Sequence, residues 1–299
     1  MLDWPFKDEC EKFKTIIANS GLADAAENSM LEHDRVAISA FVERLYPETD
    51  TFHLSFEEMT ITPDDVVQIV RLPVHDKGVR AEFTKQLEWT KLYDLTKKYL
   101  GWDEETSTTE FKRCMKYRTR QFNISTLMDM FKGTNEKEEK GTLTDEQVNH
   151  AATAYLLCVL GCVIFPNTSG NRAWIYDHFP ILKLAIENPA WKKGDPRGTK
   201  YVFDENHYRM KEQQLIRLRE VLNSLTAQDV CFDPYKEDRA DGHIAGRSDL
   251  CPYFGPLWQP TGYVMYNSSR VMRQHGFVQG IPKGGNPWKF LFDPGGVHV

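Results

Sequence analysis

The chain has 299 residues, and its 37 basic side chains against 43 acidic ones give a formal net charge of −6. With 41% hydrophobic and 12% aromatic residues it has enough apolar material for a core, which excludes a wholly disordered protein. A pI near 5.9 argues against a protein whose whole surface binds nucleic acid, although a local basic patch stays compatible with it.

The start of the sequence and its cysteines point to an intracellular protein without a membrane span. The opening MLDWPFKDECEKF is charged and lacks the apolar stretch of a signal peptide. The longest apolar run, residues 151–165, is shorter than the ~20 residues that span a bilayer, and it predicts a buried helix. The six cysteines are scattered without a CxxC pair, as expected for reduced thiols.

The hydrophobic pattern predicts a mainly α-helical fold with one small β-hairpin. Apolar spacing and end signals predict helices up to Asn19, over about 31–45, 63–73, 83–100 and 144–165, and from about 205. The β-branched and aromatic segments TFHL and EMTIT predict the hairpin near residues 51–62. Polar stretches predict loops at 103–110, 133–142 and 188–200. Helix-capping spacing is present at Thr62 with Asp65 and at Thr144 with Gln147.

The sequence lacks the patterns that usually carry catalysis. A metal site requires ligands that converge, as in HExxH, paired CxxC or an EF-hand loop, and none of these patterns is present. A GxSxG nucleophile elbow and a GxxxxGK[ST] phosphate loop are also missing. We therefore expect no catalytic residues, no metal site and a protein that is not an enzyme.

Two local features have both a functional and a structural interpretation. Cys158 and Cys162 lie one helical turn apart, a spacing that allows a shared metal ion, but their apolar surroundings favour small core side chains. His53 on the predicted hairpin is a candidate ligand or base. Because no second histidine or partner carboxylate is evident for it, a hydrogen-bonded structural histidine is the favoured interpretation.

One segment has the composition of a nucleic-acid contact. Residues 111–122, FKRCMKYRTRQF, interleave aromatic side chains with basic ones that neutralise phosphates in such contacts. The structural interpretation is a solvated charged face whose aromatic side chains point inward. The basic candidates for contact with nucleic acid or a partner are Lys112, Arg113, Lys116, Arg118 and Arg120.

The segment FVERLYPETDTFHLSFEEMTITPDDVVQIVRLPV, residues 41–74, resembles the signature of the plant mobile domain family. In that family a helix ending in V-E-R-W precedes P-E-T-x-T-F-H-L and then G-E-M-T-x-T-x-x-D-V. The sequence departs from this pattern at Leu45, where tryptophan is usual, and at Glu57, where glycine is usual. The matching signature positions, with an expected structural role, are Glu43, Arg44, Pro47, Glu48, Thr49, Phe52, His53, Glu58, Met59 and Asp65.

Two later segments resemble the same family in the same order. The first runs from an apolar helix into FPNTSGNR and matches at Gly170, Asn171 and Arg172. The second, SRVMRQHGFVQGIP, matches at Arg273 and Gln274. The resemblance predicts a single helical domain over residues 22–283, an N-terminal helix or extension over 1–21 and a tail over 284–299.

The sequence departs from the family after Arg172. Family members continue through several further helices after S-G-N-R, whereas here AWIYDHFP follows at once. We therefore predict an internal deletion at the 172/173 junction. A helical domain that lacks several helices would expose the apolar faces of their neighbours, so reduced stability is expected.

The resemblance implies a non-enzymatic interaction module in a plant nucleus. Relatives of the Maintenance of Meristems type are associated with transposon and gene silencing, genome integrity and meristem maintenance, so a phosphatase-like protein or a chromatin factor is the expected partner. The alternative is a nucleic-acid-binding protein of transposon origin that uses residues 111–122. The family is often labelled aminotransferase-like, but no lysine has a recognisable Schiff-base context, and we expect no cofactor.

Overall fold

The computed structural model of the protein describes residues 4–28, 34–72, 87–114, 120–164, 172–202, 211–244, 253–259 and 262–281. It is mainly helical with small antiparallel β elements, which confirms the fold class predicted from the sequence. The chain divides into two compact units: unit 1 is Met1–Glu32 with Val70–Gly170, and unit 2 is His33–Ile69 with Asn171–Val299.

The helices are, in chain order, α1 (Glu11–Ala18), α2 (Ala23–Asn28), α3 (Arg35–Val42), α4 (Pro63–Val70), α5 (Trp89–Leu100), α6 (Glu104–Arg113), α7 (Ile124–Phe131), α8 (Thr134–Glu139), α9 (Asp145–Val159), α10 (Arg172–His178), α11 (Lys211–Ser224) and α12 (Lys236–Ala240). The strands are β1 (Leu45–Tyr46), β2 (Thr51–His53), β3 (Glu58–Met59), β4 (Ile186–Glu187), β5 (Tyr201–Val202), β6 (Phe254–Gln259) and β7 (Gly262–Asn267). They form an antiparallel sheet β1–β2–β3 and the antiparallel pairs β4–β5 and β6–β7.

Helix α9 is the centre of the core of unit 1. Its start is fixed by the predicted capping box, in which Thr144 Oγ1 accepts from Gln147 N and Gln147 Oε1 accepts from Thr144 N. Tyr155 on α9 is fully buried, and its ring meets those of Trp4 and Phe13 edge to face at 5.3 and 5.5 Å. The predicted N-terminal extension therefore supplies part of this core.

The prediction of a loop over residues 103–110 is wrong, because most of this stretch lies in α6. Asp103 Oδ1 accepts a hydrogen bond from Thr106 N and so satisfies one of the free amides at the start of the helix. Phe111, one position beyond the stretch, is buried and anchors α6 in the core of unit 1. The polar composition of this stretch favours a loop, and the helix is indicated only by the cap at Asp103 and by Phe111, its single apolar residue.

The loop predicted over residues 133–142 is also wrong in part, because it contains α8. The amides of Gly133 and Thr134 donate to the buried carboxylate of Glu9 at 2.8 and 3.0 Å. Trp4 Nε1 donates to the same carboxylate at 2.7 Å. A residue far away in the sequence thus caps α8, and no local pattern reveals it.

In unit 2 an aromatic cluster joins the signature hairpin to two helices. The ring of Phe41, on α3, lies 5.9 Å from that of Phe52 on β2 and 5.8 Å from that of Trp174 on α10. Phe179, just after α10, lies 4.8 Å from Phe41. Phe41, Trp174 and Phe179 are almost completely buried, so this cluster is a core of unit 2.

The other predicted elements are placed as follows. The predicted hairpin is present as β2 and β3, and β1 adds a third strand. The predicted helices correspond to α1, α3, α4, α5, α9 and α11, with ends that differ by several residues. The hairpin β6–β7 was not predicted from the sequence. Residues 73–86, 203–210 and the predicted tail lie outside the described residues. None of the helices in the described ranges combines the length and the apolar character needed to cross a bilayer.

Candidate functional site

The signature segment forms the sheet β1–β2–β3, in which alternate side chains face opposite sides. Phe52 pairs with Met59 across β2 and β3, and Met59 is fully buried. His53 pairs with Glu58 in the same register, so these two side chains lie on the other face. The period of two therefore separates the signature into an apolar core face and a polar face.

The polar face is a connected hydrogen-bond cluster around Glu58. Thr51 Oγ1 donates to Glu58 Oε2 at 2.9 Å, and Arg270 Nη1 donates to both carboxylate oxygens at 2.9 and 3.0 Å. Thr49 Oγ1 lies 2.7 Å from Thr51 Oγ1 and 3.2 Å from His53 Nε2. His53 thus has a polar partner in Thr49, and its Nε2 also lies 3.8 Å from Glu58 Oε1, a carboxylate that was not evident as its partner in the sequence. Glu58 is held by a cation and a hydroxyl group.

The C-terminal family segment docks onto the same hairpin. The side-chain amide of Gln274 accepts from Thr60 N at 2.9 Å and donates to Thr60 O at 2.8 Å, which imitates the pairing of a neighbouring strand. Arg273 Nη1 lies 3.3 Å from Glu57 Oε2. Burial raises the pKa of Glu57, and the charge of Arg273 opposes this shift. The two family segments therefore fold onto one another, although more than 200 residues separate them.

Asp65 is the acceptor at the centre of a buried polar site. Its Oδ2 accepts from the amide and the hydroxyl group of Thr62, both at 2.7 Å, and Thr62 Oγ1 accepts in turn from Asp65 N, as the sequence predicted. Its Oδ1 accepts from His178 Nε2 at 3.0 Å and from the Tyr235 hydroxyl at 2.9 Å. Four donors on one carboxylate favour the anionic form.

Both ring nitrogens of His178 face oxygen atoms of other residues. Its Nε2 faces Asp65 Oδ1, and its Nδ1 lies 2.7 Å from the carbonyl oxygen of Cys231. Burial alone would raise the pKa of Asp65, but the charge of His178 and the hydrogen bonds from His178 and Thr62 outweigh it, and the net pKa is lowered. The side chains are only 1% and 3% exposed, so this ion pair is closed to substrates.

A second buried cluster in unit 2 joins α10, the segment before β5 and α12. Arg197 donates to Asp177 Oδ1 at 3.1 Å and to Asp238 Oδ2 at 2.8 Å. The hydroxyl group of Tyr201 donates to Asp177 at 2.5 Å. Arg197, Asp177 and Asp238 are buried, and each lies beside a group of opposite charge. We therefore assign the cluster a structural role.

A cleft of about 600 Å³ opens beside the signature hairpin. Its lining comes from the end of α3, the strands β1 and β2, and α11; the residues are Glu43, Arg44, Tyr46, His53, Leu54, Ser55, Arg219, Leu222 and Asn223. The rings of Tyr46 and His53 stack in parallel at 3.9 Å. Tyr46 is half-exposed, so one side of this aromatic pair faces solvent. Among the described residues, this cleft makes part of the signature region accessible to a binding partner.

The charges of the cleft are only partly paired. Arg219 Nε and Nη2 donate to the two oxygens of Glu43 at 2.8 and 2.5 Å, a two-pronged ion pair whose hydrogen bonds lower the pKa of Glu43. Arg44 donates instead to the carbonyl oxygens of Ala40 and Arg219, at 2.7 and 3.1 Å, and to Asn223 Oδ1 at 2.7 Å. Within the described ranges no carboxylate lies within 4.0 Å of the Arg44 guanidinium group.

The remaining signature positions are placed without a shared chemical site. Pro47 and Glu48 lie exposed in the turn between β1 and β2. Gly170 and Asn171 lie outside the described residues, and the side chain of Arg172, at the start of α10, is outside them too. In the described part of the chain no group of three or more His, Cys, Asp or Glu side chains is placed to hold a metal.

The basic segment is held partly by internal contacts of unit 1. Arg113 Nη2 donates to Glu110 Oε2 at 2.6 Å, and the guanidinium group of Arg120 lies 4.2 Å from the ring centre of Trp89. Lys112 is exposed on the last turn of α6. Lys116 and Arg118 lie outside the described residues.

Several residues of the cleft and the buried sites had no role in the sequence analysis: Tyr46, Arg219, Asn223, Arg270 and His178. The resemblance pointed to Arg44 and His53 but not to their neighbours on α11. Arg270 lies in the family segment SRVMRQ, and His178 lies in the family segment AWIYDHFP. Membership of these segments was the only indication of a role for either residue. Tyr46 follows Leu45, where the sequence departs from the family pattern, and nothing in the sequence indicated a role for Tyr46.

Comparison with known proteins places the chain in a family. A family model described as plant mobile domain matches it in two stretches, residues 21–173 and 172–286. Protein MAIN-LIKE 2 from Arabidopsis thaliana is 29% identical over 166 residues, which are 56% of this chain and only 21% of that protein. No solved structure matches the chain significantly. Because the family model covers most of the sequence, the chain belongs to the plant mobile domain family.

Proposed function

We propose that the protein is a non-enzymatic interaction module that receives a protein partner at the cleft beside the signature hairpin. The observation that carries this proposal is the division of the signature segment, residues 41–74. Glu58 and Asp65 are hydrogen-bonded to other residues of the chain, whereas Tyr46 and Arg44 line an open cleft. Tyrosine and arginine are enriched among the residues that dominate binding energy in protein interfaces.

The state of the ionisable groups supports a structural role for the acids and histidines. A general base must lie within hydrogen-bond reach of the proton that it removes from a substrate. In Glu58 both oxygens accept from Arg270, and the Asp65–His178 pair is closed to solvent. Membership of a family not known for catalysis supports the same interpretation.

Family membership also supports the setting that we propose. We place the protein in the nucleus, with a phosphatase-like protein or a chromatin factor as its partner and with a role in transposon and gene silencing, genome integrity and meristem maintenance. The match to Protein MAIN-LIKE 2 covers a minor part of that protein, so its whole activity is carried over only as a proposal.

Affinity capture from plant nuclear extract, with mass spectrometry of the retained proteins, tests the proposal. The tagged chain is compared with Tyr46→Ser, which removes the exposed ring of the cleft, and with Arg217→Gln, an exposed α11 residue that does not line the cleft. We expect the unaltered chain and Arg217→Gln to retain the same partner and Tyr46→Ser to lose it. A chain that is folded by circular dichroism and retains only chaperones contradicts the proposal.

The alternative, nucleic-acid binding through residues 111–122, has one supporting observation. Lys112 is exposed, whereas Arg113 and Arg120 are engaged with Glu110 and Trp89. This alternative predicts a DNA or RNA affinity that falls steeply with salt and is weakened by Lys112→Ala. A titration that is flat, or independent of salt, removes it.

A further inference from the structure

The cleft beside the signature hairpin carries one positive charge in excess. Two guanidinium groups line it, those of Arg44 and Arg219, against the single carboxylate of Glu43. Arg219 binds both oxygens of Glu43, whereas Arg44 interacts with that carboxylate only through its charge, without a hydrogen bond between them. The partners of Arg44 are two carbonyl groups and one amide, all of them neutral.

The environment of Arg44 makes this excess charge costly. Burial lowers the pKa of Arg44, and the charge of Glu43 opposes this shift only in part, so the surroundings still penalise the charged form of Arg44. An anion in the cleft would compensate this penalty through a charge-assisted hydrogen bond. The other groups that line the cleft carry no fixed negative charge, since they are Tyr46, His53, Leu54, Ser55, Leu222 and Asn223.

Three exposed apolar side chains lie close in the sequence to the charged residues of the cleft. Val42 and Tyr46, which stand on either side of Glu43 and Arg44 in the sequence, are 55% and 49% exposed. Ile216 is 53% exposed and lies three residues before Arg219 on α11, a spacing that puts both on one face of the helix. A positive centre with an apolar surround is the complement of an amphipathic segment with an acidic residue.

We propose that the cleft binds a carboxylate side chain from an acidic, amphipathic segment of a protein partner. The carboxylate lies at Arg44, and the apolar neighbours of the acidic residue pack on Tyr46, Val42 and Ile216. A single excess charge matches one carboxylate, whereas a nucleic-acid strand requires a series of cations along its backbone. This inference rests on the proposed function and states the chemistry of the partner at that surface.

A phage-displayed library of random linear peptides, selected on the full chain, supplies the probe. We expect selected peptides that combine Asp or Glu with aliphatic or aromatic residues. Their affinities are then measured by fluorescence anisotropy on the chain and on three variants. Peptides without an acidic residue, or no enrichment at all, overturn the inference.

The three variants test whether peptide binding depends on the excess positive charge of the cleft. Arg44→Gln removes the excess charge and should weaken binding about tenfold or more, since a hydrogen bond between charged groups is worth about 1.5–3 kcal/mol. Glu43→Gln frees the Arg219 guanidinium group and should tighten binding severalfold. Arg217→Gln, on the same helix outside the cleft, should leave affinity unchanged. Equal affinities for all of these folded variants overturn the inference, and Glu43→Gln keeps the test valid if Arg44→Gln does not fold.

Competition separates the sources of negative charge. A single-stranded oligonucleotide that displaces the selected peptide from the cleft would assign the cleft to phosphodiesters and overturn the proposal. Free glutamate at millimolar concentration should displace it only weakly, because the apolar contacts are missing. If selection fails while nuclear capture still depends on Tyr46, the proposed function stands and only the acidic-segment inference falls.

Discussion

Replacement of Asp65 by alanine should destabilise unit 2 more than any single surface change. The carboxylate accepts hydrogen bonds from Thr62 N, Thr62 Oγ1, His178 Nε2 and the Tyr235 hydroxyl group. Its removal takes away the buried carboxylate that faces the imidazole of His178. Breaking a buried ion pair by removal of one partner costs about 3–5 kcal/mol, a large part of the about 5–15 kcal/mol that stabilises a typical domain.

The chain provides a matched control in Asp229. Thr226 donates through its amide and its hydroxyl group to Asp229 Oδ2 at 2.8 and 2.7 Å, the same local geometry as Thr62 with Asp65. Asp229 lies at the surface and has no histidine partner among the described residues. Asp229→Ala therefore removes the local turn contacts alone, and the difference between the two variants measures the buried pair.

Asparagine at position 65 should cost less than alanine. Its amide group can donate to His178 Nε2 once that nitrogen has lost its proton, while its oxygen accepts from Thr62 N. The buried charge then disappears together with its counter-ion. We expect Asp65→Asn to lie between the unaltered chain and Asp65→Ala in its free energy of unfolding.

Urea denaturation and hydrogen exchange with mass spectrometry measure these effects. Exchange resolves the peptides of α4 and α10, in unit 2, from those of α9, in unit 1, so the loss of protection should appear in unit 2. The pKa of Asp65 is lowered in the folded state, so its stabilisation is complete above the unfolded value of about 3.9 and is lost as the pH falls through the folded pKa. The advantage of the unaltered chain over Asp65→Asn should therefore shrink in acid. Equal losses for Asp65→Ala and Asp229→Ala would refute the reasoning.

Three further changes test other parts of the structure by urea denaturation. Gly101→Ala should cost more than the about 1–2 kcal/mol of a left-handed residue, because the new Cβ would lie 2.7 Å from His150 Nδ1; Gly141→Ala, with a similar φ of +65° and no atom within 4 Å, should show the backbone cost alone. Trp4→Ala should cost about 3–5 kcal/mol in unit 1, since the indole ring is fully buried, and an unchanged midpoint would contradict its place in the core. Gln274→Ala should cost about 1–3 kcal/mol in unit 2 by leaving two hydrogen-bonding groups of the hairpin backbone without partners, and wild-type stability would argue against this docking.

The sequence predicted some of the local contacts and missed others, such as the cap at Asp103 that starts α6. The caps at Thr62 and Thr144 depend on residues three positions away, and both were predicted from that spacing. The cap of α8 depends on Glu9, which is 124 residues from Gly133, and it could not be predicted. The pairing of Asp65 with His178 likewise spans 113 residues, so only the fold brings these groups together.

The same limit applies to the cleft. The family resemblance selected Arg44 and His53 as signature residues, but it assigned them a structural role. Whether a side chain supports the fold or faces solvent depends on its neighbours, and the neighbours of Arg44 are on α11, at Arg219 and Asn223. Residues in α11 lie outside every motif that the sequence analysis identified, which is why the cleft could not be predicted from the signature.

The junction at which the sequence predicts an internal deletion lies beside a boundary between the two units. The two stretches of the family match meet at residues 172–173, and the chain passes from unit 1 to unit 2 between Gly170 and Asn171. The predicted deletion at the 172/173 junction would therefore fall within two residues of that boundary in the sequence. The first residues after the junction are already core, since Ala173 and Trp174 are 0% and 1% exposed in unit 2. We therefore expect α9 and α10, on the two sides of the junction, to show slow hydrogen exchange. Rapid exchange in α10 would mean that the core of unit 2 is not formed at the junction.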